Sequence, residues 1–244
     1  MNSAVNQSPN SARAAILKSI SDRLAKSAQH ELVTNEKESP QFDLAQTDGN
    51  QERASHSLVR MFAEQLEAVG AHCIIVSSKS DAARALKEII AKLQTDLSRG
   101  LRIALSDAPI LETLTHEAGI DGSEITISPR AADLFAHDVG LTTAQTVIAE
   151  TGTLVLESDQ ERHRLVSLLP PIHVAFIDGA NICATLGEAL AAVARKGPAG
   201  MSRAITFITG PSRTADIELT LTIGVHGPKE LFVIVNEGSL LTNR

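Results

Sequence analysis

Ala71-His72-Cys73-Ile74-Ile75-Val76-Ser77 is a short apolar run, bounded by Gly70 before it and by the polar Ser78-Lys79-Ser80-Asp81 after it. An apolar run of this length between turn signals describes a strand buried on both faces, as in a parallel sheet. The residues beyond this run settle the class. Ser80 or Asp81 can cap a helix whose inward face is Ala82, Leu86, Ile89, Ile90 and Leu93. Residues 101–105 are a second strand, and Ser106 is in position to cap another helix. Pro109 falls in its first turn, where a missing N–H costs nothing, and Gly119 closes it before a third strand at residues 125–127. The order β-α-β-α-β requires parallel pairing through right-handed crossovers, and hence an α/β fold whose sheet is covered on both faces.

Upstream, Leu58, Met61, Phe62, Leu66 and Val69 form one helical face that ends at Gly70. Residues 30–55 are polar and read as a linker. Residues 11–28 place Ile16, Leu17, Ile20 and Leu24 on a narrow stripe, an amphipathic arm that Asn10 or Ser11 could cap. Residues 1–55 are therefore expected to be an N-terminal helix and polar linker, and residues 56–244 an α/β domain. Downstream, strands are expected at residues 146–150, 153–156, 172–177, 205–209 and 231–235. One helix among them carries Ile182, Leu186, Ala189 and Val193 inward, with Arg195 and Lys196 near its negative end and Gly197-Pro198 as a stop.

The 244 residues carry a net charge of −7 and 43% hydrophobic residues, with six Phe and no Tyr or Trp. A negative chain without aromatic platforms is a poor nucleic-acid binder, because such binding gathers Lys and Arg on one face and stacks bases on rings. Cys73 and Cys183 are the only cysteines and form no C-x-x-C pair, so this chain has no spacing for an iron-sulfur cluster or a zinc site. Both lie in apolar surroundings and read as buried, inert thiols. The histidines at 30, 56, 72, 116, 137, 163 and 173 show no metal-ligand spacing, so no metal site is indicated. No apolar leader or membrane-spanning run is present, which points to the cytosol. The phosphate loop, the dinucleotide fingerprint and the G-x-S-x-G elbow are all missing.

Three segments could carry chemistry. Between residues 140 and 156, Thr142, Thr143, Glu150, Thr151, Gly152 and Thr153 interrupt an apolar series. Glu150 at a strand end could face the carboxyl edge of the sheet, where open α/β folds bind ligands; equally, it could face water from a turn that needs Gly152. In Thr209-Gly210-Pro211-Ser212-Arg213-Thr214-Ala215-Asp216-Ile217-Glu218, the glycine permits close backbone approach. Ser212 and Thr214 offer hydroxyls there, and Arg213 a fork suited to a small anion. Asp216 and Glu218 alternate with apolar residues. They could be an acid–base pair on one strand face, or the solvent-facing side of an antiparallel strand. Finally, His226 before Gly227 could transfer a proton or simply hold a loop.

Taken with Leu168-Leu169-Pro170-Pro171-Ile172-His173-Val174, these strings resemble the LUD-domain family. They are Ala149-Glu150-Thr151-Gly152-Thr153-Leu154, the 210–218 segment, and Gly224-Val225-His226-Gly227-Pro228. The resemblance covers roughly residues 55 to 236, so residues 56–244 would be a LUD-type domain. It implies a Rossmann-like parallel sheet with extra strands, similar to the sugar-phosphate isomerase and CoA-transferase group. It also implies a role in oxidising L-lactate to pyruvate together with two iron-sulfur-motif partner proteins, and since this chain lacks their cysteines it reads as the cluster-free accessory subunit of a lactate-oxidising complex. Under that reading Glu150, His226, Asp216 and Glu218 are the catalytic candidates, and they are expected to converge with Thr143, Thr151, Gly152, Thr153, Gly210, Ser212, Arg213, Thr214 and Gly227 on one cleft. The alternatives are a self-sufficient enzyme acting on a sugar phosphate, a folate or a CoA ester, and a non-catalytic regulatory module.

Overall fold

The run that opens the domain forms strand β1 (His72–Val76), and helix α1 (Asp48–Ala68) delivers the chain to it through a turn in which Gly70 has φ +85°. The computed structural model describes residues 18–19, 48–95, 99–120, 124–159, 164–215, 221–224 and 226–238. The chain divides into Met1–Gln46 and Thr47–Arg244. In the first unit Lys18 and Ser19 are helical, and every strand among the described residues lies in the second.

After β1 come α2 (Lys79–Gln94), β2 (Arg102–Leu105), α3 (Pro109–Ala118) and β3 (Glu124–Ile127). The β-α-β-α-β order is as expected, but two caps differ. Ser78, rather than Ser80 or Asp81, is the N-cap of α2 and accepts the Asp81 N–H at 3.1 Å. Helix α3 begins after Ala108 with no side-chain cap, not at Ser106, and Gly119 ends it in the left-handed conformation.

The second half contains β4 (Val139–Thr143), β5 (Thr146–Ile148), β6 (Thr153–Glu157), β7 (Ile172–Asp178) and β8 (Ile182–Cys183). It continues with α4 (Leu186–Arg195), β9 (Ile205–Ile208), β10 (Arg213–Ala215), β11 (Leu221–Ile223) and β12 (Glu230–Asn236). Strand β5 stops at Ile148, so Glu150 lies in a 3-10 turn rather than in a strand. Ile182 pairs within a sheet instead of starting the helix, because Thr185 caps α4 by accepting the Glu188 N–H.

Six strands form one parallel sheet in the order β1-β12-β7-β4-β2-β3. Alternate residues of each strand point to opposite faces. Leu141, Val174, Phe176, Phe232 and Ile234 face α2 and α3. Ala175, Ile177, Val233 and Val235 face the other way, against Val59, Phe62 and Leu66 of α1 and against Val147 and Leu154. Met61, expected on that α1 face, is exposed instead. Val147 and Leu154 belong to a second sheet of order β8-β5-β6-β9, and β10 and β11 form an antiparallel hairpin. These are the extra strands on the parallel core. Strand β4, which no apolar run announces, is buried even so. A Cβ at its Gly140 would sit 2.0 Å from the Val166 carbonyl oxygen, so the strand admits the 3-10 turn Arg164–Ser167 only through glycine.

Candidate functional site

The carboxyl ends of parallel strands are where open α/β sheets bind ligands. Here β4 ends at Thr143 and β7 at Asp178, with the second sheet and α4 standing opposite. A cleft of about 640 Å³ opens between them. Its walls are mostly aliphatic, with Pro109 and Ile110 from the uncapped start of α3, Val155 from β6 and Val193 from α4. Such a volume suits a ligand larger than a three-carbon acid.

Glu157, at the end of β6, is a charged group of this cleft. It is buried, and Lys196 Nζ donates to its two carboxylate oxygens at 2.7 and 2.5 Å. Ser202 Oγ donates at 3.2 Å, and the Glu157 N–H is taken up by Gln145 Oε1 at 2.7 Å. A buried carboxylate needs donors of this kind. An ammonium has three N–H donors, and the Glu157 oxygens account for two of them.

Of the residues expected in a single cleft, Thr143 lines this one. Glu150 does not: its carboxylate Oε1 accepts the Leu186 N–H at 2.6 Å, at the positive end of α4. Thr151, Thr153 and Thr209 form a hydroxyl chain, with 2.7 Å at each link. Gly152, at φ +61°, lets the turn press on α1, since a Cβ there would come within 2.5 Å of the Leu66 nitrogen. Gly210 does the same against Val69, at 2.8 Å. The Arg213 guanidinium donates to the Val69 carbonyl at the end of α1. Gly152, Gly210 and Arg213 therefore all pack against α1 and its carboxyl end. Thr214 is in β10. Asp216 and Glu218 lie outside the described residues.

The remaining candidates come together elsewhere. Gly210, Ser212, His226 and Gly227 line a second cavity of about 230 Å³. Ser212 N–H donates to the Pro228 carbonyl at 2.8 Å and the Gly224 N–H to the Ser212 carbonyl at 2.9 Å, which ties the two motif turns together. Thr209 also lines the cavity and links it to the Glu-Thr-Gly-Thr turn through Thr153. Glu150, Arg213 and His226 thus do not share one cleft, because the first two are held by helix ends and only the third borders this cavity.

Two residues that sequence reasoning passed over line the same cavity: Ser167 and His173, both buried. His173 Nε2 is 2.8 Å from Thr142 Oγ1 on the neighbouring strand. Its Nδ1 is buried without a hydrogen-bond partner. Burial holds the ring neutral, pushing its pKa down to about 3. Its place in the Leu-Leu-Pro-Pro-Ile-His-Val string was the available signal. Cys73 is half-buried, and its thiol is pushed up to about 12, first by burial and then by Glu67, so the free thiol is protonated at neutral pH. Among the described residues no group of three or more His, Cys, Asp or Glu is placed to hold a metal ion, and no helix is long and apolar enough to cross a membrane.

The comparisons with known proteins agree with one another. The family model described as LUD domain matches residues 59–235. An uncharacterized protein of Neisseria meningitidis serogroup B is 36% identical over 157 residues, 62% of this chain and 61% of that one. Lactate utilization protein C of Bacillus licheniformis and of Bacillus subtilis are each 37% identical over 103 residues, 41% of this chain and 43% of theirs. The matched parts thus span about three fifths of the Neisseria protein and less than half of the Bacillus proteins. Among solved structures, the crystal structure of a DUF162 family protein from Deinococcus radiodurans aligns with a TM-score of 0.53 at 25% identity, over 75% of this chain and 98% of that one.

Proposed function

The chain belongs to the LUD domain family, and on that premise we propose that it is an accessory component of an L-lactate utilisation system. It acts with two iron-sulfur partner proteins in the oxidation of L-lactate to pyruvate. The observation that carries this reading is the 37% identity to lactate utilization protein C of two Bacillus species. Oxidising lactate removes two electrons and two protons from one carbon and its hydroxyl. The electrons need a redox centre, and the two cysteines here cannot supply the four thiolates of an iron-sulfur cluster. The described residues do not fit such a cluster, so the electron-carrying step belongs to the partners, and this chain's share is binding and positioning.

Growth tests this reading. A strain lacking the chain is expected to lose growth on L-lactate while keeping growth on glucose, and the wild-type chain should restore it. With purified proteins, lactate-dependent reduction of an acceptor should need all three components. Unchanged lactate growth after deletion would sink the proposal.

A second reading is favoured by the 640 Å³ cleft, which is larger than lactate needs. A self-sufficient enzyme acting on a sugar phosphate, a folate or a CoA ester would use that volume, with Lys196 to meet an anionic group. Turnover of such a compound by the purified chain alone would favour it.

A further inference from the structure

The cavity beside His173 raises a chemical question that the edge cleft does not. A buried polar nitrogen without a partner costs free energy, and native structures leave few of them. His173 Nδ1 is one, in a residue 1% exposed. His173 is one of the residues that line a 230 Å³ space. A space of that size holds more than the single water that would be needed to satisfy the nitrogen.

The lining limits what can enter. Hydroxyl-bearing Thr206 and Ser212 border the space together with the buried His173 and the exposed His226. Among the described residues none that lines the space is Asp, Glu, Lys or Arg. Among these described residues a cation would find no counter-charge. Hydroxyl and imidazole N–H groups can all donate, and a carboxylate accepts at up to about four lone-pair positions. Hydrogen bonds to an ionised acceptor are roughly twice as strong as neutral ones. Thr142 can donate its hydroxyl proton to Nε2, which leaves the proton of the neutral ring on Nδ1, the tautomer an anion requires.

We propose that this cavity is a binding site for a small carboxylate, held by the unpartnered Nδ1 of His173 and by the hydroxyls around it. Three separate motif strings supply its walls: Leu168 and His173 from one, Gly210 and Ser212 from the second, His226, Gly227 and Pro228 from the third. The site is independent of lactate oxidation, since a carboxylate can bind here whatever reaction the chain serves.

The test is titration of the isotope-labelled full chain with acetate, L-lactate and pyruvate, and with glycerol as the uncharged comparison. The ring nitrogens of His173 are observed by NMR and the affinities by calorimetry. At least one carboxylate is expected to bind saturably and to shift the His173 Nδ1 resonance, with glycerol silent. His173→Gln should weaken binding at least about tenfold, the effect of one lost hydrogen bond to a charged group. If that variant fails to fold, Thr206→Leu, which narrows the cavity from β9, and Thr142→Val, which releases the tautomer, provide the same reading. Each should weaken carboxylate binding while the far-ultraviolet spectrum stays that of the wild type. A His173 resonance that no carboxylate moves at tens of millimolar would mean that water alone meets the nitrogen, and would overturn the proposal. So would binding that is unchanged in all the variants, or a response to glycerol alone. Carboxylate binding in a chain whose deletion leaves lactate growth intact would retire the proposed function and keep this site. Loss of lactate growth without any binding would do the reverse.

Discussion

Lys196 and Glu157 form an ion pair with one partner near water and the other in the core: the lysine side chain is 36% exposed and the glutamate side chain 5%. The carboxylate depends on this contact, because burial without a counter-charge is expensive. Lys196→Met should destabilise the protein by about 1–3 kcal/mol, less than for a fully buried pair because Lys196 keeps part of its hydration. Urea denaturation would show it. Adding Glu157→Gln to that variant should recover part of the loss, and a double variant worse than the single one would contradict the assignment.

His173 makes stability depend on pH. Its folded-state pKa is lowered to about 3 from an ordinary value of 6.5. Between those values the unfolded chain binds a proton that the folded chain does not, so stability is full above about pH 6.5 and is lost as pH falls through that window. The slope contributed by one such group is at most about 1.4 kcal/mol per pH unit. Urea midpoints measured at pH 7 and pH 5 should therefore differ more in the wild type than in His173→Gln. The His173 ring resonances should not titrate between pH 5 and 8.

Gly152→Ala is expected to separate the Glu-Thr-Gly-Thr turn from α1. The new Cβ would lie 2.5 Å from the Leu66 nitrogen and 2.8 Å from its Cα, at a φ of +61°. Backbone cannot yield as a flexible side chain does, and the conformation itself is strained for alanine. A loss of roughly 3 kcal/mol or more is expected, visible as a large drop in melting temperature. A melting temperature within a degree or two of the wild type would show that the helix has room to shift.

Glu150→Gln distinguishes a helix cap from a catalytic acid. The amide oxygen can still accept the Leu186 N–H, while the charge at the positive end of α4 is lost. The capping role predicts a cost of about 0.3–1 kcal/mol and normal growth on lactate. If growth is lost while stability is kept, the carboxylate has a chemical duty that its hydrogen bond does not reveal.

Much of this arrangement is legible in the sequence, for identifiable reasons. The strands at 72–76 and 102–105 are short apolar runs between helices of clear 3.6-residue period, and Gly70 and Gly119 end helices through positive φ. Strand β4 is not legible. Val139-Gly140-Leu141-Thr142-Thr143 is broken by a glycine that makes room for Val166 and by a threonine that serves His173. Both are answers to neighbours far away in sequence. His173 is hidden for the same reason, because a buried histidine in a strand reads as core until the missing partner of its Nδ1 is seen. Arg213 and Glu150 stand out as polar groups needing partners, but their partners are helix ends, which sequence spacing does not pair.

Strand β12 lies between β1 and β7, so an interior place in the parallel sheet is filled by residues 230–236, made long after β1. During synthesis both neighbouring strands wait with unpaired edges until residue 236 has left the ribosome. Open apolar edges of that kind are where nascent chains associate wrongly. Truncation before β12 should yield insoluble material rather than a smaller folded protein, and productive folding in the cell should lean on chaperones that hold the half-made sheet until β12 arrives.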